Sequence, residues 1–396
     1  MNSHNPVQGA EAFGVYLDYQ ASTPLDRRVF EAMEPYLTGG IGNPHAVDHG
    51  YGWQADAAVS LARSKIADLI GADSDEIIFT SGATEANNLA LLGAARASPR
   101  HRRRVLVSAI EHKCILAAAR ALDEEGFEVT ILPVSSEGII DVDSLREEID
   151  GATAVVSVMS INNEIGSLQP IATVAALSHA AGALFHTDAA QALAVAGVDV
   201  NQSGADLMSL SAHKAYGPKG IGVLYVRREM RSRIRPVLFG GGQEDGLRPG
   251  TLPTSLCVGF GRAAEILQQE RSNEVARISA LRDRLLETLR CRAPDLVLNG
   301  PATDRHAGNL NLRFPGVAAD LLLAAARPRI AAATGSACTS GTPEPSHVLT
   351  AMGISPTAAG ESIRLSIGRF TSKPDIDEAV DALAQALEEV RQGPEL

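Results

Sequence analysis

Only four cysteines occur in the 396-residue sequence, Cys114, Cys257, Cys291 and Cys338, and they form no Cys-x-x-Cys pair or metal-ligand spacing. This excludes a disulfide scaffold or a zinc module and favours reduced thiols in a cytoplasm. Cys114, Cys257 and Cys291 are expected to be small buried hydrophobes. No apolar run is long enough to span a bilayer, and Met1 to Phe13 lack a basic-then-apolar signal pattern, so they read as a loose extension. Positive charge is also scarce. Lys and Arg total 35 against 47 Asp and Glu, a formal net charge of −12, which disfavours a direct, non-specific grip on nucleic acid or on an anionic membrane. There is no internal repeat, and the alanine-rich Ala324 to Ala333 is the one low-complexity tract.

What remains is a globular composition, 45% hydrophobic and 21% charged, in a chain long enough for two cores. Short β-branched runs (Glu76 to Thr80, Val105 to Ala109, Val129 to Val134, Ala154 to Ser160) each precede a helical pattern (Glu85 to Ala97, His112 to Glu125, Val142 to Ile149, Ile171 to Ala181). That alternation predicts an α/β fold, a largely parallel sheet covered by helices on both faces. A long helical stretch from Leu256 to Arg292 then links a large domain to a smaller α+β one. The expected division is an extension over 1–15, a large domain over 16–260 and a small domain over 261–396, with 16–30 able to pack against the small domain.

Chemistry concentrates at Ser211-Ala212-His213-Lys214, followed by the turn Gly217-Pro218-Lys219-Gly220. A lysine closing the apolar run Leu207 to Leu210 can lose its proton to desolvation and act as a nucleophilic amine. In isolation such a block is more often a surface turn. Asp188, 26 positions earlier, closes another buried run, Gly182 to Thr187. As a lone residue it reads equally well as a helix cap. Together, a Lys and an Asp at two strand ends meet the needs of pyridoxal phosphate: an amine for covalent attachment and a carboxylate for the pyridine nitrogen. Ala83-Thr84, opening a helix after Thr80-Ser81-Gly82, makes an anion cradle from free backbone N–H groups, and a plain cap is the competing reading.

These blocks, with Tyr16-Leu17-Asp18-Tyr19, Thr80 to Glu85, Glu111-His112-Lys113, Asn162-Asn163-Glu164-Ile165-Gly166 and Gly335-Ser336-Ala337-Cys338-Thr339-Ser340, occur in an order that resembles the cysteine desulfurases. These are fold-type I enzymes of the class V aminotransferase group, and the resemblance runs from Tyr16 to about Val390. It implies a large domain with a mostly parallel seven-stranded type of sheet. It also implies pyridoxal 5'-phosphate as cofactor, its phosphate held by Ala83, Thr84, Ser211 and His213, with Gln191 donating to the ring oxygen. Asn162 is implied to contact the cofactor or the substrate carboxylate. His112 is implied to stack on the ring and shuttle protons, and Arg364 to hold the substrate α-carboxylate through a bidentate pair. Thr251 is implied to reach the phosphate of a neighbouring protomer, which makes the enzyme a homodimer with shared sites. Pro249 stands where relatives carry a small polar residue.

Cys338 is the expected second nucleophile, in a segment of small, turn-forming residues from Thr334 to Pro345 that reads as a surface loop. The long Gly-Ser-Ala-Cys loop is that of one branch of the family. The implied reaction converts L-cysteine to L-alanine, with Lys214 moving protons and Cys338 taking the sulfur as a persulfide for an acceptor protein. Cys338 is also a candidate transient iron–sulfur ligand, and no other metal site is expected. Selenocysteine lyase, another class V aminotransferase and an inactive assembly partner are the alternatives. Iron–sulfur assembly, tRNA thiolation and DNA phosphorothioation all remain open as destinations. The chain stops soon after its last helix, where housekeeping relatives carry a tail that docks a cluster scaffold, and this leaves a specialised acceptor open.

Overall fold

The computed structural model describes residues 14–334 and 345–393. In chain order the first elements are β1 (Val15–Tyr16), α1 (Arg27–Thr38), α2 (Gly50–Ile70), β2 (Ile77–Thr80), α3 (Ala83–Ala97), β3 (Arg104–Ser108), α4 (Lys113–Glu124) and β4 (Glu128–Leu132). They continue with α5 (Val142–Glu148), β5 (Thr153–Ser157), α6 (Ile171–Ala180), β6 (Leu184–Asp188), α7 (Val200–Ser203), β7 (Leu207–Ser211), β8 (Gly222–Val226) and α8 (Thr254–Arg292). After α8 come β9 (Val297–Asn299), β10 (Asn309–Arg313), α9 (Ala319–Ala326), β11 (Ile330–Ala331), α10 (His347–Ala351), α11 (Pro356–Gly360), β12 (Ser362–Ser366) and α12 (Lys373–Gln392).

Seven strands form one sheet in the order β2-β8-β7-β6-β5-β3-β4. The pairs from β7 through β4 are parallel, whereas β8 runs antiparallel to both its neighbours. Apolar side chains emerge on both faces because each strand is apolar at consecutive positions. Phe79, Leu106, Val156, Phe185 and Met208 join one core with α2, α6 and the first half of α8. Their neighbours Ile78, Val105, Val155, Leu184 and Leu207 join a second core beneath α3 and α4. This is the mostly parallel, doubly covered sheet that the alternating pattern predicts.

A third core gathers β10, β12, α9, α12 and the second half of α8, from Ile278 to Leu289. The 39-residue α8 thus enters the large core with Cys257 to Leu267 and the smaller one further along. Leu17 belongs to the smaller core, β1 pairs in parallel with β11, and Asp18 bridges to Ser366. The first described segment therefore crosses from the small core to the carboxyl ends of the large sheet, where the cavity opens. No described helix is long and apolar enough to cross a membrane.

Candidate active site

Parallel strands end together, and this geometry assembles the site. Asp188 is the last residue of β6 and pairs in register with Ser209 of β7. Two residues beyond Ser209, β7 ends at Ser211 and passes into a single 3-10 turn, Ala212–Lys214. Asp188, Ser211, His213 and Lys214 therefore reach one cavity of about 620 Å³. The first turn of α3 supplies Ala83 and Thr84, and His112, Gln191 and Arg364 complete most of the wall.

The cradle depends on a close approach. α3 starts at Gly82 (φ +156°) with no side-chain cap, so its first N–H groups have no intrahelical partner. Behind it, β8 begins at Gly222, where a Cβ would meet the Gly82 Cα at 2.6 Å and the Leu210 carbonyl oxygen at the same distance. Any larger residue at 222 would push the helix start off the sheet. Glu85 fastens the same turn, accepting from the Ser81 N–H at 2.7 Å and from Arg248 Nε at 2.8 Å.

Several polar wall residues are held by protein partners. Lys214 Nζ donates to the backbone carbonyls of Gln20 and, at 2.8 Å, Ala21. Gln191 Nε2 donates to the same Gln20 carbonyl at 3.0 Å. Asp188 is nearly buried and accepts from Asn87 Nδ2 at 2.7 Å and from the Ala190 N–H at 2.9 Å. His213 Nδ1 lies 3.2 Å from the Ser22 hydroxyl, and burial, helped by Lys214 and Lys219, pushes its pKa down to about 4. His112 caps α4, its Nδ1 accepting from the Cys114 N–H at 3.2 Å. Its pKa is lowered mainly by burial, with Asp188 pulling the other way. Glu111 is fully buried beside Asp188, and burial pushes its carboxyl well above the usual range.

The donor set suits a phosphorylated pyridine aldehyde. A helix start with Thr84, Ser211 and His213 around it meets a phosphate, Asp188 offers an acceptor to a ring nitrogen, and Lys214 is the amine within the same cavity.

Two expectations need correction. Asn162 does not line the cavity: its buried side chain donates to the Ile110 carbonyl at 3.0 Å and accepts from the N–H groups of Glu164 and Ile165 at 2.8 and 3.0 Å. Its neighbour Asn163 lines the wall instead. Cys114 is a half-buried wall residue and Cys291 is exposed, so of the three only Cys257 is a buried hydrophobe. Thr251 is exposed and lies outside the cavity of its own chain. Cys338 and its Gly335 to Ser340 block lie outside the described residues. Residues not foreseen are Gln20, Ala21, Ser22, Asn163, Cys114 and, behind the wall, Asn87. Only the Tyr16 to Tyr19 block hinted at the first of these.

Residues 15–379 match the aminotransferase class-V family, and the chain belongs to it. Its members are pyridoxal-phosphate enzymes. The chain is 46% identical over 388 residues to the cysteine desulfurase IscS of Rickettsia felis, covering 98% of this chain and 94% of the relative. Among solved structures it is similar to a NifS-like protein (TM-score 0.88, 32% identity, 95% of this chain and 99% of that one). It is also similar to SspA in complex with cysteine (TM-score 0.79, 36% identity, 90% and 100%).

Proposed function

We propose that the Lys214 cavity is the active site of a pyridoxal-phosphate-dependent cysteine desulfurase that converts L-cysteine to L-alanine. The observation that carries this reading is the convergence of Lys214, Asp188, the α3 cradle and Arg364 on one cavity. The family and the IscS relative support the reaction, and cysteine is the molecule named in the SspA structure.

When bound, the cofactor supplies an electron sink for charge developing at the substrate Cα. Ala83, Thr84, Ser211 and His213 would hold its phosphate, and Asp188 would keep a proton on its ring nitrogen. Gln191 and His112, on the same cavity wall, would hold its ring. Arg364 takes the α-carboxylate of cysteine, and Lys214 moves a proton at Cα. The thiolate of Cys338 attacks the substrate sulfur. The carbon–sulfur bond breaks with its electron pair left on carbon, which takes a proton to give alanine. The sulfur stays on Cys338 as a persulfide and passes to an acceptor protein.

Each site serves a homodimer in this reading, because Thr251 is exposed and outside the lining of its own cavity. Exposed apolar residues Ile41, Val47, Tyr51 and Trp53, clustered before and within the first turn of α2, offer a face for a second copy. The cytoplasm, where thiols stay reduced, is the compartment that fits. The direct test is alanine release from L-cysteine by the full chain loaded with pyridoxal phosphate. Alanine in equal amount to sulfur delivered to a thiol acceptor supports the reading. Aminotransfer to a keto acid without sulfur release would replace it with a transaminase.

A further inference from the structure

We propose that Cys114 is a positioning residue that fixes the tautomer of His112 and ties its imidazole, through Asn87, to Asp188. The inference rests on the reading of His112 as a group at the cofactor and adds how the protein sets that group's donor and acceptor edges.

Three contacts carry it. Asn87 Nδ2 lies 2.7 Å from Asp188 Oδ2 and 3.2 Å from Cys114 Sγ. Cys114 Sγ lies 3.0 Å from His112 Nδ1. The direction of every hydrogen follows from chemistry. An ionised carboxylate only accepts, so Asn87 must face Asp188 with its NH2, and the second hydrogen of that group is available to the sulfur. The opposite edge is empty of competition, since Asn87 Oδ1 has no partner among the described residues. At the other end, His112 Nδ1 already meets the backbone N–H of Cys114 at 3.2 Å, and a backbone N–H can only donate. Nδ1 is therefore the unprotonated nitrogen. Its contact with Sγ must run from S–H to N, and the neutral ring carries its hydrogen on Nε2.

The thiol is suited to this part. Burial, reinforced by Asp188, pushes its pKa up to about 12, so the S–H hydrogen stays in place at neutral pH. Protonating His112 at Nδ1 would set a new N–H against the backbone N–H of Cys114 and would take away the acceptor of the thiol hydrogen. The arrangement thus holds the ring neutral and leaves Nε2–H as its only donor. Around this ring stand Asp188, which favours the cation, and Lys214, His347 and Lys113, which oppose it.

The test reads the imidazole directly. Full-length protein labelled with nitrogen-15 histidine is titrated by NMR, with pyridoxal phosphate bound and after its removal. The wild-type His112 resonances should be those of the Nε2–H tautomer in both states. Cys114→Val fills the space without a donor, and Cys114→Ala removes both. Each should shift the Nδ1 resonance and raise the His112 pKa by about 0.5, the equivalent of one weak hydrogen bond. Cys114→Ser keeps a donor and should leave both near their wild-type values. An Nδ1–H tautomer in the wild type would overturn the inference, as would a Val variant indistinguishable from wild type or a Ser variant displaced as far as Val. If Cys114→Val does not fold, Cys114→Ala read against Cys114→Ser decides. Loss of the cofactor label from Lys214 would instead count against the underlying site reading, so the two failures are separable.

Discussion

Arg364 donates from Nη2 to Asp18 Oδ1 at 2.6 Å, an ion pair that joins β12, the last strand of the chain, to the first described segment. Nη1 donates to the Asn163 carbonyl at 2.8 Å, and Nε, buried, has no partner among the described residues. The guanidinium is thus fixed in orientation on the cavity wall, with donor capacity left for a substrate carboxylate.

Replacing that fork tests its role. Arg364→Lys keeps the charge but loses the two-point geometry, and the KM for L-cysteine should rise about 10- to 100-fold, the range of a lost charge-assisted hydrogen bond. Cofactor absorbance should be unchanged. Steady-state kinetics with an unaltered KM would remove Arg364 from the substrate site.

Lys214 is the amine expected to bond the cofactor. Borohydride treatment of the loaded protein followed by peptide mapping should place the pyridoxyl group on Lys214, and Lys214→Ala should lose it. A label on Lys219, which shares the cavity wall, or on Lys113 would refute the assignment.

Much of this was legible before the structure because buried parallel strands announce themselves as short apolar runs, and site residues sit where those runs stop. Asp188 and Lys214 could be located in that way. Other parts left no such mark. No element was expected between Tyr16 and Glu76, yet α1 and α2 lie there. α1 carries Pro35 inside it, and the buried side of α2 mixes small residues, Ala55, Ala58, Ala62 and Ala67, with Val59, Ile66, Leu69 and Ile70, which blurs a helical stripe. β8 follows Lys214 after a short loop and runs antiparallel, against the alternation of strand and helix. The wall residues Gln20 to Ser22 act mainly through backbone carbonyls, which residue identity does not reveal. Asn162 was misplaced because two adjacent asparagines point to opposite sides of one turn.

Acid stability should follow the buried histidines. His186 is fully buried between the Ser157 and Ser209 hydroxyls at 2.8 and 3.0 Å, and burial pushes its pKa down to about 4. The unfolded chain takes up protons on histidine near pH 6.5, before the folded state does. Stability is therefore full above about pH 6.5 and falls as the pH drops towards 4, by about 1.4 kcal/mol per pH unit for each such group. Denaturant melts at pH 7.5 and pH 5 should show the loss. His186→Asn should make the difference between the two smaller by about 2 kcal/mol, whatever its cost at pH 7.5. An unchanged difference would mean that His186 is not held neutral.

The shared-site dimer predicts a specific separation. Thr251→Ala should weaken retention of pyridoxal phosphate on dialysis without moving the borohydride label from Lys214. Sedimentation of a fully active monomer would contradict the assignment of Thr251 to the partner's phosphate.

The central claim is that sulfur leaves L-cysteine for Cys338, and peptide mass mapping of the loaded protein after one turnover with L-cysteine tests it most directly. The Cys338 peptide should gain the mass of one sulfur atom, reversibly by reduction, with one alanine formed per persulfide. Cys338→Ser should retain the cofactor on Lys214 and still bind L-cysteine, and should form no alanine at a useful rate. Alanine formed at the wild-type rate by Cys338→Ser, or added sulfur found on Cys114 instead, would contradict the account.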